Sequence, residues 1–119
     1  MSRGRRWREV WDDFELYLGL LGFAREVPFR GVSGMRKWRF DWAMTDGRKV
    51  AVEYDGLGRG GKDTRERGGH ETRSGILRGA EKVNEAQLCG WRVVTCHAPT
   101  IENGRCHEWV ELALREGEA

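Results

Sequence analysis

The stretch that decides the fold runs Lys37-Trp38-Arg39-Phe40-Asp41-Trp42-Ala43, turns through Thr45-Asp46-Gly47, and returns as Lys49-Val50-Ala51-Val52-Glu53-Tyr54-Asp55. Both arms are rich in β-branched and aromatic residues, and a glycine-containing turn separates them, which predicts a β-hairpin. Alternation along the second arm puts Val50, Val52 and Tyr54 on one face and Ala51, Glu53 and Asp55 on the other, so two carboxylates point the same way at the strand's end. Where Asp41 points depends on the turn. A two-residue loop at Asp46-Gly47 pairs Asp41 with Val52 and sends it to the face opposite Glu53. A three-residue loop, with Gly47 left-handed in a G1 bulge, pairs Asp41 with Ala51 and makes Asp41 and Glu53 same-face diagonal neighbours, ~7 to 8 Å apart at the backbone. We take the second register as the expectation.

Working outward, Trp7, Val10, Trp11, Phe14, Tyr17, Leu18 and Leu21 recur at helical spacing, and Gly22 should stop that helix. An extended stretch from Phe23 to Phe29 follows, then a loop containing Gly31, Ser33 and Gly34. Beyond the hairpin, eight glycines between Gly56 and Gly79, mixed with Arg and Lys, predict a flexible basic loop. Ile76 to Leu88 reads as a helix with Leu77, Ala80, Asn84 and Leu88 on its buried face, Trp91 to Cys96 as an apolar strand, and Glu108 to Arg115 as a last helix. This order gives an α/β sandwich with a mixed central sheet. At 119 residues the whole chain, 1–119, fits a single domain. The six Trp and four Phe residues supply most of the large core groups; Trp7 and Trp38, flanked by arginines, are the two aromatics placed to meet bases instead.

The net charge is only +2, but all but four of the 21 basic residues are Arg, whose planar fork matches phosphate oxygens in pairs. Arg3, Arg5, Arg6 and Arg8 crowd the amino terminus, Arg36, Lys37 and Arg39 precede Asp41, and the glycine-rich segment adds Arg59, Lys62, Arg65, Arg67 and Arg73, whereas the carboxy-terminal end is acidic. This asymmetry suits a surface that meets nucleic acid, and equally a solvated charged face. No run approaches the ~18 apolar residues of a membrane-spanning helix, and the arginine-rich start lacks the apolar stretch of a signal peptide, so a cytoplasmic location without membrane contact is expected. Three cysteines, Cys89, Cys96 and Cys106, show no C-x-x-C spacing and are expected to be reduced. The pairs Cys96-His97 and Cys106-His107 can be read as four zinc ligands, yet adjacent Cys and His side chains rarely converge on one tetrahedral ion.

Clustered carboxylates repel, and burying several together is costly unless a cation neutralises them. Magnesium or manganese suits such a site, because hard oxygen ligands bind both and no histidine or thiolate cluster competes. The bland alternative is a hairpin with ordinary solvent-facing acids.

The string Phe40-Asp41-Trp42, then Val52-Glu53-Tyr54-Asp55-Gly56, Gly69-His70, Glu81-Lys82-Val83-Asn84 and Leu88-Cys89-Gly90-Trp91-Arg92-Val93-Val94 resembles the PD-(D/E)XK nuclease superfamily. More narrowly, it is similar to small phage-type endonucleases that include Holliday junction resolvases, with relatives among very-short-patch-repair-like nucleases. The resemblance spans Glu15 to Val94. It implies a restriction-endonuclease-like core, a mixed central β-sheet flanked by α-helices. Asp41 and Glu53 would be the metal-binding acids, with the Tyr54 carbonyl and Asp55 as further ligands, and Glu15 the acid that the first helix contributes. At position 55 the superfamily most often has Lys, whereas Asp stands here, which makes Lys82 the candidate replacement cation; Lys82 can equally be a phosphate contact or a solvated side chain. His70 would assist proton transfer or bond locally.

The implied activity is Mg2+-dependent DNA hydrolysis, which Mn2+ would also support, leaving a 5'-phosphate and a 3'-hydroxyl. The implied substrate is branched DNA, a four-way junction, cut in paired symmetric nicks by a homodimer in a bacterial or phage-infected cytosol, with no organic cofactor. Two other readings stay open: a monomeric nicking or repair endonuclease of the same superfamily, and a DNA-binding module without catalysis.

Overall fold

Gly22, left-handed at φ 107°, ends the first helix, and the Phe23 N–H closes back on the Leu18 carbonyl at 3.0 Å. That helix, α1 (Trp7–Leu21), is followed by β1 (Ala24–Arg30), β2 (Lys37–Ala43), β3 (Val50–Tyr54), α2 (Arg73–Leu88), β4 (Arg92–Cys96), α3 (Ala98–Glu102) and α4 (Arg105–Gly117). The computed structural model describes residues 5–32, 37–56 and 73–117. The sheet order is β1-β2-β3-β4, antiparallel between the first three strands and parallel between β3 and β4, so the architecture is α/β with a mixed sheet. Among the described residues, α2 begins three residues earlier than the sequence suggests, α4 likewise, and α3 is an addition. In α3, His97 accepts a hydrogen bond from the Thr100 backbone while Thr100 Oγ1 accepts one from the His97 N–H at 3.0 Å, a reciprocal cap.

Two cores lie on the two faces of the sheet. On one face α1, α3 and α4 bury Phe14, Leu18, Ile101, Cys106 and Val110 against Trp42, Val50, Val52 and Cys96. Each fully buried Phe or Leu there contributes about 1.5 to 3 kcal/mol of apolar transfer. On the other face Phe29, Phe40, Ala43 and Ala51 meet Ala86 of α2, with Phe29 and Phe40 stacked at 4.0 Å.

Three expectations are corrected. The first concerns register: Trp42 pairs with Val52 and Ala43 with Ala51, which sets Asp41 directly opposite Glu53 rather than opposite Ala51. The connection spans Thr45 to Lys49, since the Met44 N–H bonds the Val50 carbonyl; Asp46 accepts the Arg48 N–H, and Gly47 and Lys49 take left-handed conformations. Three- and five-residue loops have the same parity, which is why the shared face survives the change of register.

The second concerns α2. Leu77 and Leu88 are 60% and 72% exposed, and the helix turns Lys82, Val83, Glu85 and Ala86 inward instead. The Glu53 carboxylate gives Lys82 a buried partner, and the small Ala86 lets the helix approach the sheet. The third concerns the cysteines: Cys96 and Cys106 form a disulfide that ties the end of β4 to the first turn of α4, Cα to Cα 5.9 Å, while Cys89 is free. Two thiols ten residues apart meet because α3 folds the chain back between them.

The first two strands also change face together. In β2, Trp38, Phe40 and Ala43 pack into the α2-side core, whereas Trp42 and the following Met44 pack into the other, so strict alternation breaks at Asp41. In β1, Val27 and Phe29 face the α2 side, while Phe23 packs on the opposite one and the Arg25 guanidinium lies over Trp42. The β1–β2 register is the same before and after this point but skips the Glu26–Asp41 position, where Glu26 has φ 54°. A backbone excursion at Glu26 thus rotates both arms at once.

Candidate functional site

The break in alternation leaves backbone groups at Asp41 that the ladder does not pair, and buried backbone groups need partners. Side chains supply them. The Asp41 N–H donates to Glu53 Oε2 at 2.9 Å, the Tyr54 N–H donates to Asp41 Oδ2 at 2.8 Å, and Arg25 Nε donates to the Asp41 carbonyl at 3.3 Å. The second Glu53 oxygen, Oε1, accepts from Lys82 Nζ at 2.7 Å, with the two side chains only 15% and 18% exposed. Burial, and then the negative charge of Asp41, raise the Glu53 pKa above the ordinary carboxylate value, against the opposing pull of Lys82. The structure therefore joins three of the anticipated residues, Asp41, Glu53 and Lys82, into one polar cluster between β2, β3 and α2.

Glu15 and Asp55 lie to either side. Glu15, half-buried on α1, bonds the Arg25 guanidinium and so reaches Asp41 through that arginine. Asp55 follows the end of β3; its N–H donates to the Cys96 carbonyl at 2.8 Å and its carboxylate lies 3.7 Å from His97 Nε2. The carboxylate triplet expected from alternation is thus a pair: among the described residues no group of three or more His, Cys, Asp or Glu side chains is placed to share a metal ion. Tyr54 turns its ring toward Trp11 at 4.9 Å and Trp7 at 6.3 Å.

The chemistry of the donor set nonetheless suits a hard cation. Each carboxylate carries about four lone-pair sites, of which Asp41 gives one to Tyr54 and Glu53 gives one each to Asp41 and Lys82. Magnesium is typically held by only one or two carboxylates, with phosphate oxygens and waters completing its shell. Asp41 and Glu53 would be its protein ligands.

Of the basic residues, Arg5 pairs with Asp13 and, at 4.0 Å, with Glu9; Arg6 is the exposed residue preceding α1; Lys37 is exposed at the start of β2; and Arg39 lies 3.6 Å from Glu26. Arg73 opens α2. Arg3, Arg36, Arg59, Lys62, Arg65, Arg67 and His70 lie outside the described residues. Trp7 packs on Trp11 and Tyr54, and Trp38 on the α2-side core. Arg25 is the member of the site that the sequence does not reveal, because only the pairing of Arg25 with Trp42 brings it beside Asp41.

No family model matches the chain, and neither a curated protein nor a solved structure matches it. Among the described residues, no helix is long and apolar enough to cross a membrane.

Proposed function

We propose that the chain is a metal-dependent, structure-selective DNA endonuclease of the PD-(D/E)XK type, and specifically a junction-resolving one. The observation that carries the reading is the Asp41–Glu53 carboxylate pair, drawn from adjacent strands and faced by the Lys82 ammonium. Asp41 and Glu53 hold the ion, and Arg25 and the Tyr54 N–H orient Asp41. A bound magnesium or manganese ion supplies Lewis-acid polarisation of the scissile phosphate and lowers the pKa of an attacking water. The Lys82 ammonium, held at Glu53, would on release from that carboxylate offset negative charge developing on the phosphate. Arginine contacts to the DNA backbone read shape rather than sequence, which suits a branched substrate. Two cuts on opposed strands call for two sites related by a twofold axis, and exposed Leu16 and Leu20 on α1, with Trp109 and Leu112 on α4, offer apolar surface for that contact.

The test is a cleavage gel comparing a four-way junction, a mismatched duplex and a plain duplex in magnesium. The junction should be nicked symmetrically by a species of about twice 13.7 kDa. Asp41→Asn and Glu53→Gln should each lose cleavage by about two orders of magnitude or more while still binding the junction. Undiminished cleavage by either variant refutes the site, and a monomer making single nicks turns the reading toward a repair-type nickase. One observation favours a DNA-binding module without catalysis: Asp41 and Glu53 already serve as acceptors for unpaired backbone donors, so their charge has a structural use. Junction binding without cleavage in either magnesium or manganese would decide for that module.

A further inference from the structure

Lys82 bonds one oxygen of Glu53 while the other oxygen accepts the Asp41 N–H, so the ammonium and the Asp41 backbone divide the same carboxylate. The pair is largely withdrawn from water, where an ammonium and a carboxylate each require the other. Gly79, one turn earlier on α2, has no described residue within 4 Å of where a Cβ would stand and carries no side chain of its own to block an outward swing of the Lys82 stem. Two cations cannot be accommodated on one buried carboxylate without strong mutual repulsion.

Resting on the reading of Asp41 and Glu53 as ion ligands, we propose that Lys82 is an internal counter-ion which competes with a divalent cation for Glu53, and that the phosphate backbone of DNA, by receiving the displaced ammonium, tightens binding of that cation. Loading of the site and engagement of substrate are then linked: each lowers the cost of releasing Lys82 from Glu53. Because such coupling is reciprocal, the cation must also tighten binding of DNA. The positive charge carried by α2 thus offsets Glu53 at rest and moves to phosphate when the ion arrives.

Manganese titration followed by calorimetry and by electron paramagnetic resonance, on protein with and without non-cleavable DNA, tests this with no appeal to cleavage. Lys82→Met should bind Mn2+ about tenfold more tightly than the parent chain, and a short non-cleavable DNA duplex, whose phosphates help to complete the ion's shell in both proteins, should tighten Mn2+ binding several-fold more in the parent than in Lys82→Met. Lys82→Gln, which keeps a polar group near Glu53, carries the same comparison should Lys82→Met fail to fold, and added Mn2+ should raise its melting temperature more than that of the parent. With Glu53→Gln already in place, adding Lys82→Met should no longer change Mn2+ affinity. Equal or weaker Mn2+ binding by both Lys82 variants, with binding intact in the parent, overturns the counter-ion proposal alone. Absence of Mn2+ binding in every variant overturns the ion-ligand reading and the proposal with it.

Discussion

The two faces of the sheet are built on different terms. One is sealed by three helices, with Phe14, Leu18, Trp42, Val52 and Val110 fully or almost fully buried and a disulfide across Cys96 and Cys106. The other is met, among the described residues, by α2, whose buried apolar contribution is Ala86 against Ala43, Ala51, Phe29 and Phe40. The small residues leave room for side chains that a large apolar core would exclude, and it is on this side that Glu53 and Lys82 meet. Stability is concentrated on one face, which frees the other to hold ionised groups at the cost of their desolvation.

The largest effect expected from this contrast is on folding. Phe14→Ala should lose about 3 to 5 kcal/mol in urea unfolding, whereas Leu77→Ala, on the exposed side of α2, should change stability by no more than about 0.5 kcal/mol. A cost above about 2 kcal/mol for Leu77→Ala would restore the helix face that hydrophobic spacing suggests and break the contrast.

A smaller effect, opposite in sign on the two faces, is expected with pH. On the thicker face His107, edge-on to Phe14 and with Nδ1 buried without a hydrogen bond, has its pKa lowered by burial from the ordinary 6.5. The unfolded chain then takes up the proton first, so the contribution of neutral His107 is complete above 6.5 and is lost as pH falls through the window below it. Glu53 behaves in the other sense: its raised folded pKa makes proton uptake favour the folded chain, so its contribution is present below the ordinary 4.5 and is lost as pH rises through the folded value. His107→Gln should flatten the acid-side loss and Glu53→Gln the acid-side gain in unfolding free energy measured against pH; equal slopes in parent and variant would contradict the corresponding environment.

The smallest effect concerns the place where the first two strands pass from one face to the other. Glu26→Gly should be neutral or stabilising by up to about 1 kcal/mol, since glycine adopts φ near 54° without steric cost. Glu26→Val should instead destabilise by up to about 1 kcal/mol, because a β-branched side chain tolerates φ near 54° less well than the unbranched Glu. Equal melting temperatures for the two variants would mean that the left-handed residue does not set the rotation.

Much of this is legible in the residues themselves. The helical stripe from Trp7, its stop at Gly22 and the hairpin follow from local periodicity, and the common face of Asp41 and Glu53 follows once the turn is read as odd in length. Register does not, because the Asp46 side chain and the left-handed Lys49 lengthen the turn, and nothing in a propensity for glycine turns reveals a second left-handed residue. The inward face of α2 is hidden by its leucines, which outweigh Ala86 in any hydrophobic pattern, while Lys82 is inward only because Glu53 arrives from a strand distant in sequence. Alternation at Asp41 misleads for a related reason: the left-handed residue that accompanies the rotation is Glu26 in the partner strand, and no residue type in the sequence of β2 signals it. The part of the site carried by Arg25 requires the strand pairing before it can be seen.

The shared rotation at Glu26 and Asp41 constrains how this hairpin can tolerate insertions and deletions. Removing one residue from either strand alone would shift the outer arm by a single step against its neighbour and carry Val27 and Phe29, or Trp38 and Phe40, out to solvent. Length changes are therefore tolerable only in matched pairs, one in each strand, and the matched pair that would straighten the arm is the one that removes Asp41. A shortened, regular version of this hairpin would keep its pairing and forfeit the carboxylate.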